Sequence, residues 1–123
     1  MLAKTPLHEI IDRSTLAPWR KLLLDSADYI SSYGHTKGQL EDLKTGAVCL
    51  RGAIYKSCDY WSAQGIDADN HFNRWLVDTG RQKSSFGGNE FSGDELVTWN
   101  NKPERTGQEV IDAMRACALQ NIL

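Results

Sequence analysis

The chain has 123 residues, a net charge of −2 and a hydrophobic fraction of 41%, which suits one domain with a single core. Its 24% of charged residues is the share of a folded protein rather than a disordered one. No apolar run approaches the ~20 residues of a membrane span, and no stretch concentrates Lys and Arg as a phosphate-tracking surface requires.

The expected organisation is therefore one domain over residues 1–123, with neither membrane nor nucleic acid as partner. Charges interrupt Met1 to Arg13 every few residues, so the N-terminus lacks the apolar core of a secretory signal and the expected address is the cytoplasm. The three cysteines, Cys49, Cys58 and Cys117, are odd in number and widely spaced. In a reducing compartment they act as small core hydrophobes.

Helical signals dominate the order of elements. Thr5-Pro6 precedes a short helix over Leu7 to Ser14, which offers Leu7, Ile10 and Ile11 to a core. Pro18 then opens a longer one, since proline costs little at a first helical position. Trp19, Leu22, Leu23, Ala27 and Ile30 form its apolar stripe, and Gly34 closes it as a residue able to take positive φ. Residues 46–62, GAVCLRGAIYKSCDYWS, read as a buried central helix. Ala47, Leu50, Ile54, Cys58 and Trp61 lie on one face, Val48 and Tyr55 on another. Gly46, Cys49, Ala53 and Ser57 add a stripe of small side chains, along which a neighbouring helix can approach.

Gly65 reads as the next stop, followed by a helix capped by Asp67, with Asp69 in its first turn. Phe72, Trp75 and Leu76 form its apolar face and Gly80 ends it. From Arg81 to about Glu95 the periodicity dissolves into a long irregular loop, of a length where loops are usually functional or disordered. Glu95 to Trp99 is the single short strand candidate. The last helix spans Thr106 to Asn121 behind the capping box Thr106-Gly107-Gln108-Glu109. Together these signals predict a mainly α fold, a compact bundle of about five helices with one long irregular loop.

The chemistry-bearing motifs are sparse. Asp67 and Asp69 alternate as in a calcium loop, but Phe72 stands where that loop needs glycine and Asp78 where it needs glutamate. His8, His35 and His71 lie far apart, and there is no Cys-x-x-Cys pair, so no zinc frame exists. Gly87-Gly88 lacks the frame of a phosphate loop, and Gly34 to Gly38 imitates it only in part. No metal and no cofactor are expected. The nucleophile candidate is Cys49, near the start of the expected central helix, where a dipole favours thiolate. His35 is its candidate base and Asn100 the orienter; a buried core cysteine is the competing reading. Trp99, Asn100 and Asn101, with Thr36, are the candidate binding residues. The competing reading makes Trp99-Asn100-Asn101 a turn that holds the last helix.

Taken together, Cys49 with Gly52-Ala53, Gly34 to Gly38, and Trp99-Asn100 with Pro103, Arg105-Thr106 and Glu109-Val110 resemble a family of small domains of unknown function from actinobacteria and their phages. The resemblance runs from Trp19 to the last helix. It implies a fold and an actinobacterial or phage setting, and no reaction. Asn101 stands where the pattern carries aspartate, which removes an acid–base group there. Two functions follow from the sequence. The first is a small cytosolic accessory protein that binds another protein, with a homodimer as one form, through the long polar loop or the acidic C-terminal quarter. The second is a thiol-dependent enzyme or small-ligand binder built on Cys49, His35 and Trp99-Asn100.

Overall fold

A computed structural model describes residues 5–59, 62–88 and 90–122. Among these, six α-helices form a bundle: α1 (Leu7–Ile10), α2 (Pro18–Tyr33), α3 (Leu50–Lys56), α4 (Ala63–Asp78), α5 (Glu95–Asn100) and α6 (Gly107–Leu119), with a 3-10 turn at Arg13–Thr15. Helix α2 packs most extensively on α6, and on α3 and α4 as well. It begins and ends as its sequence requires, with Pro18 at the first turn and Gly34 at φ 98° closing it. Leu22, Leu23, Ala27 and Ile30 are buried, joined by Leu24 on an adjacent stripe. Helix α6 has the expected capping box: Thr106 Oγ1 accepts from Glu109 N–H at 3.1 Å, and Glu109 Oε1 accepts from Thr106 N–H at 3.0 Å. Val110, Ile111, Met114, Cys117 and Ala118 line its buried face.

Several expected boundaries are corrected. The first helix stops after one turn at Ile10, and Ile11 is extended; Ile10 itself is exposed. Arg13 explains the break, because the 3-10 turn lets its guanidinium reach Asp25 at 2.7 Å and Asp28 at 2.8 Å on α2. The central helix does not cover residues 46–62 but runs only from Leu50 to Lys56. Gly46 takes φ 80°, and the following residues are extended because Val48 bridges two segments at once. It pairs in parallel with His35 and antiparallel to Glu41. Trp61, expected on that helix, lies outside the described residues.

Of the small-residue stripe only Ala53 lies within α3, with Cys49 and Ser57 as its caps and Gly46 before it. At Gly52, beside the stripe, the close neighbour is the Leu40 carbonyl of the 34–47 loop. Gly65 is not a stop but sits in the first turn of α4, where its N–H donates to Ser62 Oγ at 3.1 Å. Ser62 is thus the N-cap, not Asp67. Asp67 is exposed beside His71 at 3.5 Å, while Asp69 is buried. The strand candidate Glu95 to Trp99 is the helix α5, whose Leu96 N–H is anchored by Asn73 Oδ1 at 2.8 Å.

Candidate functional site

The residues singled out in the sequence gather where the 34–38 segment meets the end of α5. Asn100 is 1% exposed, and every polar atom of its side chain is used. Its Oδ1 accepts from Leu50 N–H at 3.1 Å and contacts His35 Nε2 at 2.7 Å. Because Leu50 N–H can only donate, that atom is the amide oxygen, so His35 donates from Nε2. The Nδ2 of Asn100 donates to Thr36 O at 3.3 Å and to Asn101 Oδ1 at 3.0 Å. Asn101 Oδ1 also accepts from Gly38 N–H at 3.0 Å. Lys37 completes the fastening, with Nζ donating to the carbonyls of Lys102 and Pro103 at 2.7 and 3.0 Å. Gly107 presses the first turn of α6 onto this clasp, since a Cβ there would lie 2.8 Å from His35 Cβ.

Trp99 faces the core. It is 3% exposed, edge-on to Phe72 at 6.0 Å, and covered by the Arg105 guanidinium at 4.0 Å. The Arg105 Nε–H also donates to Trp99 O at 3.1 Å. Only its rim reaches the groove of about 410 Å³ that Arg81, Arg105, Glu109 and Asp112 border. The structure therefore brings His35, Thr36, Asn100 and Asn101 together as an internal fastening of three segments. A buried side chain amide with four partners is expensive to remove. Asn100→Ala is expected to cost about 2–3 kcal/mol in a denaturant titration. Stability within about 0.5 kcal/mol of the native chain would mean that the clasp carries no weight.

Cys49 adjoins the clasp without joining it. It is the N-cap of α3, 7% exposed, and its Sγ accepts from Gly52 N–H at 3.3 Å. Among the described residues no hydrogen bond links it to His35. Burial pushes its thiol up, more strongly than the Gly52 and Arg51 N–H groups and the Arg51 charge pull it down. Both burial and that shift oppose a thiolate. Cys117, on the buried face of α6, is pushed up to about 12 by desolvation. All three cysteines are free, and Cys58 is the one partly exposed. Under native conditions near neutral pH, a thiol reagent followed by mass mapping should label Cys58 first, with Cys49 and Cys117 reacting only on unfolding. Rapid labelling of Cys49 would contradict this.

A family of unknown function, DUF6197, matches residues 15–120. The chain belongs to this family. No curated protein and no solved structure matches it. The match spans the clasp and a second polar cluster that the sequence motifs did not point to.

That cluster lies under the irregular segment between α4 and α5. Arg51 donates to Asp69 from Nε at 2.9 Å and Nη2 at 3.3 Å, to Asp94 from Nη1 at 3.0 Å, and to Gly93 O at 2.7 Å. Burial opposes its charge, but the two carboxylates outweigh that and raise its pKa. Burial likewise pushes the Asp69 carboxyl up, against the pull of Arg51. Beside them Glu95, 1% exposed, accepts four bonds. Asn73 Nδ2 and Gly93 N–H reach Oε1 at 2.9 and 3.0 Å, while Ser85 and Ser92 N–H reach Oε2 at 3.0 and 2.9 Å. Burial alone would raise the Glu95 carboxyl; the four donors hold it well below the usual carboxylate range.

Glu95 thus pinches the segment at its neck, Ser85 on one side and Ser92 and Gly93 on the other. Ser85 and Ser92 meet there through their hydroxyls as well, at 3.1 Å. The tip beyond carries Phe86, 66% exposed, while Phe91 is covered by Arg74 at 4.8 Å. One sequence signal was available: Ser92 and Glu95 have the same spacing as the capping box Thr106-x-x-Glu109. A wider cleft, about 880 Å³, lies elsewhere, among Arg13, Lys21, Asp25, Lys56, Cys58 and Ser62. Its cations are answered by carboxylates, Arg13 and Lys21 by Asp25 and Lys56 by Glu41.

Proposed function

We propose that this chain acts by binding another protein through the tip of the 81–94 segment. The observation that carries the reading is Phe86, held out at 66% exposure on a loop whose neck is fixed by a buried carboxylate. A large aromatic that a fold presents rather than covers is a typical anchor of an interface. A loop ordered beforehand avoids much of the entropy loss of binding. Leu43, 90% exposed on a turn closed by Thr45 and Gly46 N–H donating to Asp42 O, is another exposed apolar side chain at a loop tip.

The setting we infer is the cytoplasm of an actinobacterium, the chain being its own or encoded by a phage. The resemblance supports the source, and the three free thiols suit a reducing compartment. The enzymatic reading has one observation in its favour, the orientation of His35 by Asn100 at 2.7 Å. The burial of Cys49 weighs against it.

The test uses the chain as bait in a lysate of the source cell, beside Phe86→Asp and Leu43→Asp baits of unchanged circular dichroism. A partner kept by native and Leu43→Asp baits and lost by Phe86→Asp supports the reading. A partner held equally by all three overturns it.

A further inference from the structure

We propose that residues 81–93 form a strap that detaches from the helical bundle as one unit, with Glu95 as its latch. Two observations carry this. First, none of the described residues in 81–93 is buried, so lifting the strap exposes no apolar core side chain of its own. It is held by hydrogen bonds to Glu95 and Arg51, by Arg81 and Gln82 N–H donating to Leu76 O, and by ring contacts of Arg81 with Trp75 and Arg74 with Phe91. Segments with few buried apolar contacts open at a fraction of the cost of global unfolding.

Second, the latch stays with the bundle when the strap leaves. Glu95 belongs to α5 and keeps its bond to Asn73 on α4, whose Oδ1 in turn holds Leu96 N–H at 2.8 Å. The bonds lost are those to Ser85, Ser92 and Gly93, and water can replace all three. Gly80 at φ 75° and Gly93 at φ 90°, each with open space where a Cβ would stand, provide a flexible joint at either end. Because one carboxylate binds Ser85 before the tip and Ser92 and Gly93 after it, the two sides of the tip release together. The inference holds whether or not Phe86 meets a partner.

Native-state hydrogen exchange of the full chain tests it directly. The amides of Ser85, Ser92 and Gly93 should share one opening constant with little dependence on sub-denaturing urea. They should exchange well before the amides of Leu24 and Met114 in the α2–α6 core. Glu95→Gln should lower their protection at least about tenfold, since a charge-assisted hydrogen bond is worth more than that factor, while the amides of Leu24 and Met114 remain the slower to exchange. Exchange of the three amides only together with Leu24 and Met114, or at three unrelated rates, would overturn the proposal.

Discussion

Glu95→Gln is expected to lower stability by about 2–3 kcal/mol at neutral pH, a difference that shrinks steadily as pH falls below about 4. The four donors around the carboxylate are all N–H groups. An amide satisfies those on one oxygen and turns its own NH2 against the others. The loss is bounded, because opening of the strap lets water reach the unsatisfied groups. The pH dependence follows from the direction of the shift. The folded carboxyl titrates below its ordinary range, so its contribution is complete above about pH 5 and declines as pH falls through the unfolded value near 4.3. Asp12 and Glu109 are shifted the same way, and subtracting variant from native midpoints isolates Glu95. Urea titrations across this range check it; a difference that does not depend on pH would show that the charge of Glu95 is not what holds the strap.

Gly52→Ala should destabilise the chain by about 2–3 kcal/mol net, although alanine is the better helix former by ~1 kcal/mol. An added methyl would fall on the Leu40 carbonyl oxygen, with the carbonyl carbon 2.9 Å away. That obstacle is backbone, fixed by the bond from Cys49 N–H to Leu40 O at 3.1 Å, so the 34–47 loop must move as a whole. Gly65→Ala is the informative comparison. Its Cβ would meet Cys58 Sγ at 2.9 Å, the end of a side chain that can turn away, and the cost should be smaller. Thermal denaturation of the two variants side by side decides the matter. A Gly52→Ala chain more stable than the native one would show that propensity outweighs the contact.

How far the sequence revealed this arrangement varies by element. Helices α2 and α6 are legible because long apolar stripes at helical spacing coincide with specific end signals, Pro18 and Gly34 in one and the Thr106–Glu109 box in the other. The start of α3 is not, because Ala47-Val48-Cys49-Leu50 is a continuous apolar run that fits either a buried helix or an extended segment. The choice is made by Val48 bridging His35 and Glu41, a contact between distant parts of the chain. Helix α5 has six residues, too few for helical and strand periodicity to diverge. Asp67 drew attention from Ser62 because both are good N-caps and only packing selects the earlier one.

The site divides in the same way. The motif residues Asn100, Asn101 and Thr36 do come together with His35, while Trp99 turns into the core; their burial and mutual bonds could not be read from one chain. The polar cluster of Arg51, Asp69, Asn73 and Glu95 was hidden by its dispersal over three helices. Its one local sign, Ser92-x-x-Glu95, sits in a stretch that looked structureless.

We infer two separate roles: Trp99 and Asn100 fasten the fold, and outward contact, as proposed, falls to the tip of the 81–94 segment. Site-specific photo-crosslinking in the source cell tests this division, with a benzophenone amino acid placed at Phe86 in one chain and at Thr36, beside the clasp, in another. The expected result is a discrete crosslinked partner from position 86 and none from position 36. A partner captured from position 36 and absent from position 86 would contradict it.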